Sequence, residues 1–153
     1  AAVASASRGT PAAPVGHVLI YPGLGGEALA LASYREHAGA IHLTAVDVDA
    51  YQRARAGGDP PPRDPTFAPL AGDDFADLPP CVAVSADIDP LRDDAAEYVR
   101  RLHSAGVAAQ WINEPSLVHG YLRARHMSGR AGASFARIVA AIDRLGRGLP
   151  TRS

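Results

Sequence analysis

Apolar residues gather along this chain into three short runs, at 17–21, 81–85 and 109–113. Each is nearly continuous rather than alternating, the pattern of a strand buried on both faces, as in a parallel sheet. Between them lie segments of helical composition. Residues 27–38 and 43–56 read as helices, the second opened by Thr44 as an N-cap and stopped by Gly57. Residues 93–104 form an amphipathic helix with Ala96, Val99, Leu102 and His103 on one side and Gly106 just past its end. The last helix covers 132–145, where Phe135, Ile138, Val139 and Ile142 share a helical spacing. Residues 1–7 have the composition of a final helical turn ended by Gly9 and Pro11, and no internal repeat is present.

Two stretches break the pattern. Residues 57–80, rich in Pro, Gly and Asp, read as a long surface excursion, and 115–121 as a loop. Strand–helix alternation predicts an α/β fold with three parallel strands and flanking helices. Three strands make a thin sheet with an apolar edge left to pair. The expectation is one partial domain over 1–153, its N-terminal strands on another polypeptide or an absent segment. The first residue, Ala1, and the single methionine, Met127, fit that expectation.

Composition narrows the chemistry. A net charge of −1 gives no footprint for nucleic acid or an anionic membrane surface. All 15 basic residues are arginine, so any reaction needing a lysine is excluded. One cysteine, Cys81, allows neither an internal disulfide nor a multi-cysteine metal site. It opens a strand and reads as a small core residue. No apolar run reaches membrane-spanning length and no signal-peptide layout is visible, so the expectation is a cytoplasmic protein.

Two segments carry candidate chemistry: Ser85-Ala-Asp-Ile-Asp-Pro-Leu-Arg-Asp-Asp94 and Val118-His-Gly-Tyr121. Asp89 ends a parallel strand, where open α/β sheets place their ligands. His119 follows the next strand and emerges at the same edge. Adjacent strands lie about 4.8 Å apart, within reach of a carboxylate–imidazole hydrogen bond. Such a bond fixes the histidine tautomer and stabilises the imidazolium formed on proton uptake. Asp89-Pro90 serves equally as a helix start, with Asp as cap and Pro at the first position. Asp87 and Asp93 compete for the same acid role, and strand alternation places Asp87 and Asp89 on one side.

The acid segment Asp89-Pro-Leu-Arg-Asp-Asp94 and His119-Gly-Tyr121 resemble the motifs of bacterial hormone-sensitive-lipase-like carboxylesterases, members of the α/β-hydrolase superfamily. Leu19-Ile-Tyr-Pro22 is similar to that family's strand after the nucleophile helix. Asp64-Pro-Thr-Phe-Ala-Pro-Leu70 with Leu78-Pro-Pro80 is similar to its connector into the acid-bearing strand. The likeness covers 1–145. It implies the C-terminal portion of an α/β-hydrolase fold, with Asp89 as triad acid and His119 as general base. Asp94 stands where that family has Glu, and Tyr121 where it has Phe. The implied substrate is a small-molecule ester, and the implied mechanism needs no metal and no cofactor.

The nucleophile is what the sequence lacks. No Gly-x-Ser-x-Gly turn occurs. Ser5-Ala-Ser-Arg-Gly9 is the nearest imitation, but Thr10-Pro-Ala-Ala-Pro14 cannot continue as a helix. Gly23-Leu-Gly-Gly26 has the composition of an oxyanion turn yet reads as a strand exit. Two functions follow as expectations. One is an ester-hydrolase half that works with an N-terminal half bearing the serine; the other is a non-catalytic relic or partner subunit of the same fold. A nucleotide-binding domain is a weaker third, because no Gly-x-Gly-x-x-Gly follows a strand.

Overall fold

A computed structural model describes residues 1–149; the last four positions of the expected 1–153 unit lie outside the described residues. A short helix, α1 (Ala2–Ala6), leads to strand β1 (His17–Ile20), and α2 is a single turn, Ser33–Glu36. Helix α3 (Ala45–Ala56) follows, then β2 (Cys81–Ile88), α4 (Arg92–Ser104), β3 (Ala109–Val118) and α5 (Gly129–Gly146). The three strands are parallel in the order β1-β2-β3, with Cys81 opposite both His17 and Ala109.

The central strand shows why its sequence is unbroken in apolar residues. Cys81 and Ala83 face one layer, packing with Leu70, Phe75, Tyr98, Val99 and Leu102. Val82 and Val84 face the other, against Ile138 and Leu145 of α5 and the flanking Val18, Ile20 and Ile112. Both faces of β2 are covered, so neither tolerates a polar residue until Ser85, whose hydroxyl finds Asn113 and Trp111.

Four boundaries differ from the sequence expectation. Residues 27–38 do not form one helix: a 3-10 turn at Gly26–Leu29 ends at Ala30, whose φ of 52° is left-handed, and α2 restarts at Ser33. Helical composition there is outweighed by contacts to α4 described below. Residues 57–80 are more than a surface excursion, because Leu70, Phe75 and Leu78 drop into the α4-side core. Helix α5 starts earlier, at Gly129, where the Ser128 hydroxyl accepts the Ala131 N–H. The strand β3 runs on through Val118 instead of yielding to a loop at Pro115. By contrast α3 begins as read: Thr44 and Asp47 form a reciprocal capping box, and Gly57 closes the helix at φ 69°.

Candidate active site

The extension of β3 decides which aspartate meets His119. Pairing of β2 with β3 is regular up to Ala86 opposite Glu114, then resumes at Ile88 opposite Val118. Two residues of β2 therefore span the length of four on β3, and the surplus is a bulge at Pro115 and Ser116. Pro115 has no N–H to lose from a ladder, and Ser116 adopts φ 60°. Asp89 and His119 directly follow the last paired residues, Ile88 and Val118. Asp87 is turned into the bulge, where it accepts from Asn113 Nδ2 at 2.9 Å and the Ser116 N–H at 3.1 Å. Those two hydrogen bonds hold the Asp87 carboxyl below its usual range.

Asp89 is 0% exposed, and its Oδ2 lies 2.8 Å from His119 Nδ1. Its Oδ1 accepts the Leu91 N–H at 2.9 Å. Asp89 is not the cap of α4, whose N-cap is Leu91 with no side-chain bond; the Asp89 Oδ1 instead closes an Asx turn ahead of the helix, and its Oδ2 holds the imidazole. A carboxylate only accepts, so the proton of the bond sits on Nδ1 and Nε2 is left as the lone-pair nitrogen. Gly120, at φ 75°, turns the chain sharply after His119 in the left-handed conformation that glycine adopts without strain. The ring of Tyr21 stacks at a tilt against the imidazole, with centroids 4.7 Å apart, and Tyr121 packs on Tyr21 in turn. The Tyr121 hydroxyl is tied to Ser134 of α5 at 2.6 Å. The imidazole is thereby held in plane by its acid and on its face by an aromatic ring.

The remaining residues of the acid segment clamp the loop between β1 and α3. Asp94, buried at the start of α4, accepts from the Leu24 N–H at 2.6 Å, the Gly26 N–H at 3.2 Å and the Tyr34 hydroxyl at 2.9 Å. Gly26 has to be glycine, because a Cβ there would overlap the Asp94 carboxylate and Leu31. Asp93 accepts the Ser33 N–H at 2.9 Å, and Ser33 Oγ donates to the Pro90 carbonyl at 2.6 Å. Arg92 bridges Asp93 and Glu36. None of the three aspartates at 87, 93 and 94 hydrogen-bonds His119. In the sequence Tyr21 stands out only as part of Leu19-Ile-Tyr-Pro22, and Ser33 and Tyr34 carry no signal beyond helical composition.

The ring of His119 lines a pocket of about 260 Å³. Gly23 and Gly25 form one side, Leu43, Ala68 and Leu91 supply apolar surface, and α3 lays Val48, Tyr51, Gln52 and Arg55 along another wall. Gly23-Leu-Gly-Gly26 is the exit from β1, as its position implies, and it borders this pocket. Cys81 is fully buried in the core and away from the pocket; burial pushes its thiol up to about 12, which keeps it unreactive. Among the described residues no cluster of His, Cys, Asp and Glu is arranged to hold a metal ion, and no helix is long and apolar enough to cross a membrane.

A parallel sheet ending in a buried carboxylate and a pocket-lining histidine is an α/β-hydrolase arrangement, and the comparisons place the chain there. Residues 1–123 match the family described as α/β-hydrolase fold, and the chain belongs to that family. Carboxylesterase NlhH of Mycobacterium tuberculosis is 41% identical over 86 residues, covering 56% of this chain and 24% of the relative. Esterase LipI of the same organism is 37% identical over 123 residues, covering 78% of this chain and 34% of the relative. Among solved structures, DphMB1 superposes with a TM-score of 0.84 at 31% identity, over 97% of this chain and 48% of its own. An esterase of Pyrobaculum calidifontis gives 0.80 at 26% identity, over 94% and 47%. The chain therefore spans about half the length of these solved proteins and about a quarter to a third of these curated relatives.

Proposed function

We propose that this chain is the acid-and-base half of a serine-dependent carboxylic-ester hydrolase. The observation that carries the reading is the 2.8 Å bond between the wholly buried Asp89 and His119 Nδ1, with the same imidazole forming part of a pocket wall. In the proposed reaction a serine hydroxyl, supplied by an N-terminal half, attacks the ester carbonyl of a small-molecule substrate. His119 Nε2 takes the serine proton and returns it to the departing alkoxide, which leaves as the alcohol. Asp89 holds the tautomer and offsets the positive charge on the ring during each transfer. Water, deprotonated by the same Nε2, then cleaves the acyl-enzyme and regenerates the serine.

The esterase names of the relatives support the reaction class. The lack of a Gly-x-Ser-x-Gly turn in the sequence supports the division of labour. The test is turnover of a short acyl ester by this chain alone and by this chain joined to an N-terminal half that carries the serine. The chain alone is expected to be inert, and the joined protein to hydrolyse the ester and to be blocked by a serine-directed phosphonate. Phosphonate-sensitive turnover by the chain alone would contradict the proposal. So would an inert, folded, joined protein, which would favour a non-catalytic role.

A further inference from the structure

The wall that α3 contributes to the pocket ends in a cation. Tyr51, Gln52 and Arg55 stand three, four and seven residues beyond Val48, so the four share a helix face. At 1.5 Å per residue the face runs about 10 Å from Val48 to Arg55. The Arg55 guanidinium lies over the Phe67 ring, 3.7 Å from its centroid, and Nη2 donates to the Phe67 carbonyl. The Phe67 backbone is itself fixed, since its N–H and that of Ala68 both donate to the Asp64 carbonyl. Stacking on a ring and one bond to a carbonyl orient the guanidinium while leaving other N–H groups for an outside acceptor.

Among the described residues no carboxylate takes that role. Arg53, two residues earlier, pairs with both Asp49 and Asp59, whereas Arg55 has no ion pair among the described residues. Glu27, on the loop beside α3, feels Asp49 and Arg53, and burial raises its carboxyl above the usual range. The pocket thus combines apolar side chains with His119 and with a stacked cation at the end of α3. We propose that it selects esters carrying a carboxylate at the far end of the chain, with the ester carbonyl at His119 and the carboxylate on Arg55. The inference rests on the reading of His119 as the base, because that fixes where the reacting carbonyl sits.

Binding can be read without turnover, so the test needs no nucleophile. The chain is captured at low density on a surface, where self-association does not interfere. Monomethyl adipate and methyl hexanoate, which differ only in a terminal carboxylate against a methyl group, are then passed over it. The adipate ester is expected to bind about three- to fivefold more tightly at low salt, the scale of an ion pair at a solvent-accessible rim, and to lose that margin at high salt. Arg55→Gln should abolish the margin, and Arg53→Gln, whose cation is already paired, should keep it. Equal affinity for the two esters, no binding of either, or a margin that survives Arg55→Gln would each overturn the inference. A confirmed margin beside an inert joined protein would instead sink the hydrolase reading and leave the anion preference standing.

Discussion

A carboxylate in the first turn of a helix is ordinarily solvated, but Asp94 is fully buried and faces two backbone N–H groups and a phenol. Burial, which penalises the charged form, outweighs those donors and pushes its carboxyl up to about 6. The sign of the resulting pH dependence follows. The unfolded chain ionises Asp94 near 3.8 while the folded chain holds the proton until about 6. The stabilising contribution is therefore full below pH 3.8, declines as pH rises through 6, and is flat above. Asp94→Asn removes this titration. The stability of the wild type relative to Asp94→Asn should accordingly fall between pH 4 and pH 6 in urea unfolding, and a rise over that window would show that the donors dominate instead. In the sequence Asp94 is the second of two adjacent acids that close the acid motif; its role depends on Leu24, Gly26 and Tyr34, some sixty to seventy positions away, which no local pattern reveals.

At the scale of elements, the parts that were legible in the sequence are those set by nearby residues. Thr44, Asp47 and Gly57 mark both ends of α3, because a capping box and a left-handed glycine are local chemistry. Thr44→Ala should lower stability by about 1 kcal/mol in denaturant titration, the usual cost of a lost N-cap. It should also loosen the pocket wall made by Val48 and Tyr51. An unchanged midpoint would mean that α3 is held by its contacts alone. Where tertiary contacts dominate, the sequence misleads. Residues 27–38 have helical composition, yet Ser33 and Tyr34 bond to Pro90, Asp93 and Asp94 and fix a broken path. The bulge at Pro115 and Ser116 shifts the register that separates Asp87 from Asp89. Strand alternation places both on one side and cannot choose between them; their partners do, Asn113 and Ser116 for Asp87 against His119 for Asp89. Pro115, which reads in the sequence as the start of a loop, lies inside β3.

The sheet of the whole molecule has two edges, β1 and β3, and its α5 layer leaves Phe135, Val139 and Ile142 exposed along one side. Unpaired strand edges beside apolar surface are templates for association. Sedimentation of the isolated chain is expected to show concentration-dependent association; a monodisperse monomer that unfolds cooperatively would contradict it. Three strands with both faces of β2 covered were visible from apolar runs, whereas the pocket was not. Its walls come from the β1 exit, α3, Ala68, Leu91 and His119, which only the folded chain brings together.

All of this converges on one carboxylate. Asp87, Asp89 and Asp93 crowd the end of β2, each with different partners: Asn113 and Ser116 for Asp87, Arg92 and Ser33 for Asp93, and His119 for Asp89 alone. The most direct measurement is kcat for Asp87→Asn, Asp89→Asn and Asp93→Asn in this chain joined to the proposed serine-bearing N-terminal half, after circular dichroism shows each variant folded. Asp89→Asn should lower kcat by roughly 10⁴, the scale of the same change in a serine-protease triad, because an amide leaves His119 in the wrong tautomer. Asp87→Asn and Asp93→Asn should keep most of their turnover and lose stability instead. Near-normal turnover in Asp89→Asn, with turnover abolished in either of the other two, would contradict the account.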